Sequence, residues 1–362
     1  MTITFLFPNR GNQLSGGLKV VCEYANRFAA DGHNVHIVYA GSIFWSKKTW
    51  FYKMTGVVRY LQTWIKGYSC RSWFALDNRV KEHWCWSLNE RHVPVSDIYI
   101  CTSPYTAMYL KDYTGGKKFY LIQDYEKWGR LSDSELRKTY HLPLNKIVIS
   151  HWLKAIMEEE QVQCTLIPNG FHPEDFVLQT PICSKDKYCL AMLYHPMSRK
   201  DCAMGFRALS IVHQKYPMIH VNIFGTPERP SVLPVWYHYY QQPTKQKLNQ
   251  LYDEAAIFIG TSQIEGWGLT VGEAMLCGCA VACTDIPGYR VMATDNETAL
   301  LSPAGDAEAL AANIIRFIED DSLRRRIAEA GHRNIQQYTW DKSYALFKSL
   351  LFERESTQRT MC

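Results

Sequence analysis

Short apolar runs alternate with longer, one-sided stretches along almost the whole chain. "TITFLF" (2–7) is long enough for a buried strand and too short for a helix. "LKVVCEYANRFAADG" then places Val20, Val21, Tyr24, Ala25 and Phe28 on one helical face, with Gly32 as the stop. "HNVHIVYA" is the next strand, and the alternation continues through "DIYICT", "KKFYLIQD", "KIVIS" and "CTLIPNG", with helical stretches such as "HWLKAIMEEE" between them. After the polar linker "VLQTPICSKD" a second alternation begins: strand "YCLAMLYH", helix "AMGFRALSIVHQ", strand "IHVNIFG", helix "KQKLNQLYDEA", strand "AIFIG". Strand–helix–strand repeats require crossovers and so a parallel sheet. The pattern predicts two doubly wound α/β domains, 1–176 and 177–338. Of the three helical segments that end the chain, the last, in 339–362, is expected to return to the N-terminal domain.

A chain of 362 residues has length for two ordinary cores. It is 47% hydrophobic and 21% charged, without low-complexity tracts or solenoid repeats. A net charge of +5 suits a phosphorylated small molecule or an anionic membrane surface and is too weak to indicate nucleic acid. The twelve cysteines are scattered and form no CxxC, which argues against a zinc ribbon or a thioredoxin-like site. Cys277 and Cys279 read as packing residues, and reduced thiols point to the cytoplasm. The opening "MTITFLFPNR" has no basic leader and reads as a strand; no uncharged apolar run approaches the ~18 residues of a membrane span.

The most informative stretch is "IFIGTSQIEGWGLTVGEAMLCGCAVACTD" (257–285), where a loop at the carboxyl end of a strand opens a helix. Ligands of open α/β sheets bind there. Gly266 and Gly268 allow close backbone approach, and the first amides of the helix suit an anion such as phosphate. Glu265 and Glu273 flank that position. Carboxylates beside a phosphate fit where they accept hydrogen bonds from neighbouring hydroxyls, so phosphate in the middle and polyols at both ends describe a nucleotide sugar. For Glu273 a second reading stays open, because Thr270 to Glu273 ("TVGE") matches a capping box. Gly16 and Gly17, at the first strand-to-helix turn, form another candidate phosphate approach.

"EGWGLTVGEAM" resembles the E-x7-E signature of retaining glycosyltransferase family 4, the glycosyl transferases group 1. "SGGLKVVCEYANRFAADGHNVHIV", "ISHWLKAIMEE", "LIPNGFHPEDF" and "GYRVMATDNETALLSPAGDAEALAANIIRFIED" are similar to further segments of that family, in the same order. The resemblance implies a GT-B fold, two Rossmann-like domains facing across a cleft. It implies that Glu265 binds donor-sugar hydroxyls and Glu273 the ribose. Amides of Gly266, Trp267 and Gly268 would line the sugar, and those of Leu269 and Thr270 the diphosphate. Gly17, with Gly16, would admit the donor phosphate, and Lys200 would pair with the diphosphate. The family's partner arginine falls on His195, so Arg199 is the candidate for the missing charge. A family histidine near the anomeric carbon is replaced by Gln123 or Asp124, the latter with an alternative role as a local turn cap.

The implied chemistry is metal-independent transfer of a hexose, of glucose type first, from a UDP-sugar to a glycan or lipid-linked acceptor in polysaccharide biosynthesis. No D-x-D occurs in the chain, in keeping with Lys200 and helix amides in place of a metal. GDP-mannose and dTDP-rhamnose are the other donors considered; an idle sugar-nucleotide-binding subunit and a GT-B epimerase are the competing functions. Residues 43–74 carry six Lys or Arg, no acidic residue, and Trp45, Trp50, Trp64 and Trp73. That mixture suits peripheral contact with the inner face of a membrane.

Overall fold

The computed structural model describes residues 1–8, 15–40, 58, 60–62, 65–126, 131–230 and 233–352. The chain divides into two compact units, Met1–Asn169 with Asp341–Cys362, and Gly170–Trp340.

The first unit is built from β1 (Thr2–Phe7), α1 (Gly16–Ala30), β2 (Asn34–Ala40), β3 (Lys81–Cys85), β4 (Ile98–Cys101), α2 (Pro104–Leu110), β5 (Lys117–Ile122), α3 (Asp133–Tyr140), β6 (Asn145–Val148), α4 (His151–Glu159) and β7 (Cys164–Leu166). Its sheet runs β3-β2-β1-β4-β5-β6-β7, every pair parallel. The second unit contains β8 (Cys189–Leu193), α5 (Cys202–Lys215), β9 (His220–Gly225), β10 (Tyr237–Gln241), α6 (Lys245–Glu254), β11 (Ile257–Gly260), α7 (Leu269–Leu276), β12 (Ala280–Thr284), β13 (Leu300–Ser302), α8 (Ala307–Glu319) and α9 (Asp321–Ile335). Its parallel sheet runs β10-β9-β8-β11-β12-β13. Both are Rossmann-like orders that reverse direction beside the first strand, as the expected fold class requires.

Burial explains which strands the pattern revealed. β11 and β12 are buried at every position, so their sequences are unbroken apolar runs. β3 ("KEHWC") and β10 ("YHYYQ") were not anticipated; both lie at sheet edges, half exposed, and carry no apolar run. β13 was also missed, being only three residues long. The last helix, α10 (Trp340–Phe352), sets Phe347 edge-on against Tyr24 at 4.4 Å and Tyr344 against Phe28 at 4.9 Å, and Lys348 Nζ donates to Asp31 at 2.6 Å.

One polar pair lies inside the first sheet. His36 of β2 and His83 of β3 are 2.7 Å apart, Nδ1 to Nε2, so one ring donates and the other accepts. Burial, then the charges of His83 and Lys81, push the His36 pKa down to about 4; burial and Lys81 also lower that of His83. An unfolded histidine titrates near 6.5, so on acidification the unfolded chain takes up the proton first. Stability is therefore complete above about pH 6.5 and falls as the pH drops towards about 4. We expect the urea midpoint to decline across that window and a His36→Gln variant to decline less; equal slopes would remove this pair as a cause.

Candidate functional site

β8 and β11 are neighbours in the second sheet, and the loops leaving their carboxyl ends carry the predicted residues together. Beyond β8, Arg199 and Lys200 lie in a short 3₁₀ turn that ends at Asp201, held in left-handed geometry at φ 43°. Asp201 then starts α5, its side chain accepting from Met204 N at 3.3 Å. Beyond β11 the loop is tied to this turn three times. Thr261 Oγ1 donates to the Lys200 carbonyl at 2.6 Å, Gln263 N to the Arg199 carbonyl at 2.8 Å, and Gln263 Nε2 to Asp201 Oδ2 at 2.9 Å.

The loops converge on an ion pair between Lys200 Nζ and Glu265 Oε1, whose side chains are 19% and 13% exposed. Ser262 Oγ donates to the same oxygen at 2.7 Å. His195 stands near this pair. Its Nδ1 accepts from Met197 N at 3.1 Å, so the neutral ring carries its proton on Nε2. Burial lowers its pKa, and the charges of Lys200 and Arg199 lower it further, against a raising contribution from Glu265.

The turn Ile286–Arg290 supports the Glu265 loop from behind. A Cβ on Gly288 would lie 2.0 Å from the Glu265 carbonyl oxygen, and the Tyr289 ring would lie 2.7 Å from one on Gly268. Trp267 buries its indole, with ring centroids 6.4 Å from Phe171 and 5.4 Å from Tyr338, while Gly266, Trp267 and Gly268 supply the loop backbone. Sequence reasoning singled out none of Ser262, Thr261, Gly288, Tyr289 or Tyr252; small and aromatic residues outside a motif carry no signal on their own.

Gly268 is the residue that opens α7. It sits at φ 86°, and no side chain caps the amides of Leu269 and Thr270 that follow. Thr270 is therefore inside the helix, not at its cap, and the capping-box reading of Glu273 fails. Glu273 is instead 5% exposed and accepts a hydrogen bond from Tyr252 OH at 3.2 Å.

Of the first-unit residues, Gly17 and Gln123 come together. Gln123 Nε2 donates to the Gly17 carbonyl at 3.3 Å, and Ser15 caps α1 just before Gly16. A Cβ on Gly17 would meet the Gln123 side chain at an ordinary 3.5 Å. Asp124 Oδ1 accepts from Tyr125 N at 2.9 Å. Among the described residues no group of three or more His, Cys, Asp or Glu could hold a metal ion, and no helix is long and apolar enough to cross a membrane. Of the basic, aromatic span 43–74, residues 43–57, 59, 63 and 64 lie outside the described residues; Val58, Leu61 and Ile65 are exposed.

The family model "Glycosyl transferases group 1" matches residues 236–334, which include both Glu265 and Glu273. The chain is 30% identical over 106 residues to O-antigen chain mannosyltransferase B of Escherichia coli, covering 29% of this chain and 27% of that one. It is 24% identical over 223 residues to a phosphatidyl-myo-inositol mannosyltransferase of Mycobacterium tuberculosis, 57% and 58% of the two chains. The matched stretches thus span less than two thirds of these relatives. Among solved structures, Anabaena HepE in complex with UDP-glucose superposes with a TM-score of 0.72 at 15% identity, covering 97% of this chain and 99% of that one. The match to the group 1 family model and the two Rossmann-like parallel sheets agree with the resemblance read from the sequence.

An ion pair so far withdrawn from water is energetically coupled. Lys200→Met should destabilise the protein by about 1–3 kcal/mol, and adding Glu265→Gln should recover part of that loss. Chemical denaturation of the two single variants and the double variant measures it; strictly additive losses would show that the pair does not act as a unit.

Proposed function

We propose that this glycosyl transferases group 1 chain is a retaining hexosyltransferase that uses a nucleotide diphosphate sugar, with a UDP-glucose-type donor first, and a glycan or lipid-linked acceptor. The observation that carries the proposal is the meeting of Lys200, Glu265 and the uncapped start of α7 at the reversal point of the second sheet. In this reading Glu265 accepts hydrogen bonds from the donor sugar and Glu273 from the ribose. The amides of Gly266, Trp267 and Gly268 line the sugar.

Lys200 and the amides of Leu269 and Thr270 stabilise charge on the departing diphosphate, with Arg199 and His195 beside them. The bond from the anomeric carbon to the diphosphate oxygen breaks while the acceptor oxygen bonds that carbon on the same face. The acceptor proton passes to the departing phosphate oxygen. Gly16 and Gly17 are assigned to the donor phosphate, and Gln123 and Asp124 to the acceptor hydroxyl. A mannosyl donor is the second reading, favoured by the mannosyltransferase names of similar relatives.

The test is a thermal-shift panel of UDP, GDP, dTDP and ADP on wild type and Glu273→Ala, followed by turnover with the matching sugars. One nucleotide at about a hundred times its Kd should stabilise the wild type by ~2.7 kcal/mol, and the variant should lose most of that gain. Turnover should give a product with the donor's anomeric configuration, read by NMR, and Lys200→Ala should lower it about 10²–10³-fold. Binding without turnover would favour an idle nucleotide-sugar subunit, and an inverted product would end the retaining assignment.

Peripheral contact through 43–74 is part of the same proposal. The protein should co-sediment with anionic vesicles and release at high salt. Indifference to lipid charge would remove that contact.

A further inference from the structure

Tyr252 lies outside the E-x7-E motif, yet it donates a hydrogen bond to the second glutamate of that motif. It lies on α6, is fully buried, and its OH donates to Glu273 Oε2 on α7 at 3.2 Å. Its ring is held edge-on by Phe176, Phe224 and Phe258 at centroid distances of 5.8, 5.3 and 5.6 Å. Its backbone is fixed as well. The buried ammonium of Lys185 donates to the carbonyls of Tyr252, Ala255 and Cys277 at 3.3, 3.1 and 2.6 Å, which joins the carboxyl ends of α6 and α7. Burial, then the Glu273 charge, keeps the phenol protonated and so a donor.

We propose that Tyr252 is a positioning residue that sets the plane and reach of the Glu273 carboxylate for the vicinal diol of a ribose. The inference rests on the assignment of Glu273 to the ribose. A carboxylate offers about four lone-pair positions. A hydrogen bond from a rigid aromatic cluster fixes the direction from which the carboxylate meets two adjacent hydroxyls.

The experiment compares binding of UDP with that of 2′,3′-dideoxy-UDP (or the GDP pair, where the nucleotide panel selects GDP) by calorimetry. Wild type, Tyr252→Phe, Glu273→Ala and the double variant are measured. Tyr252→Phe should weaken the ribonucleotide about five- to tenfold, leave the dideoxy analogue nearly unchanged, and add no loss in the Glu273→Ala background. Equal weakening of both nucleotides, or a loss that persists without Glu273, would mean a merely structural tyrosine and overturn the inference. A ribose preference lost in Glu273→Ala but kept in Tyr252→Phe would overturn it alone. A preference kept in Glu273→Ala would overturn the ribose assignment beneath it. Should Tyr252→Phe fail to fold, 3,5-difluorotyrosine placed at 252 keeps the packing and strengthens the donor; an unchanged ribose preference would then sink the proposal.

Discussion

A parallel sheet wound in both directions from its first strand leaves a place that no crossover covers, and the second unit is organised around that place. From β8 the chain leaves through α5 towards β9 on one side; β11, its other neighbour, leads through α7 to β12 on the opposite side. The two loops therefore start side by side and diverge, with their backbones open at the top of the sheet. The bonds from Thr261 and Gln263 to the carbonyls of Lys200 and Arg199 hold the loops together at that point. Lys200 and Glu265 are 65 positions apart in the chain, and only this topology makes them partners.

Electrostatics follow from the same geometry. A lone ammonium or a lone carboxylate this far from water would be costly, so each offsets the cost of burying the other. A ligand can separate them only by giving both a partner as good: an anion for Lys200 and hydroxyls for Glu265. That selects against a simple phosphate, which would leave the carboxylate facing a like charge. His195 sharpens the point. With Nδ1 committed to the Met197 amide and its pKa lowered, it presents a neutral donor where the family resemblance leads one to expect an arginine. In this chain, the positive charge that faces Glu265 is that of Lys200.

How much of this could be seen in the sequence depended on burial. The interior strands were legible because both of their faces are covered, which makes every position apolar; β3 and β10 were not, because an edge strand needs no such run. The E-x7-E spacing located Glu265 and Glu273, and the strand–loop–helix pattern placed them at the carboxyl edge. It could not say whether Thr270 caps the helix, since that turned on a two-residue difference in where α7 begins. Nor could it find Tyr252. A tyrosine at a helical core position looks like packing, and nearly all of this one is packing; only its hydroxyl group does anything else.

The glycines show why a motif should be divided by cause. Gly268 adopts a positive φ and has the Tyr289 ring against it, Gly288 faces the Glu265 carbonyl, and Gly272 would place a Cβ 2.1 Å from the Phe171 ring. Each is required by the protein itself, and each would be needed even if no ligand ever bound. Gly17 is different. Its surroundings among the described residues would accept a methyl group at ordinary contact distance, and its φ is not positive. Packing among the described residues does not require glycine there, which leaves room for a group approaching the start of α1. Close approach of a phosphate to the first amides of a helix would need a residue without a side chain at that position.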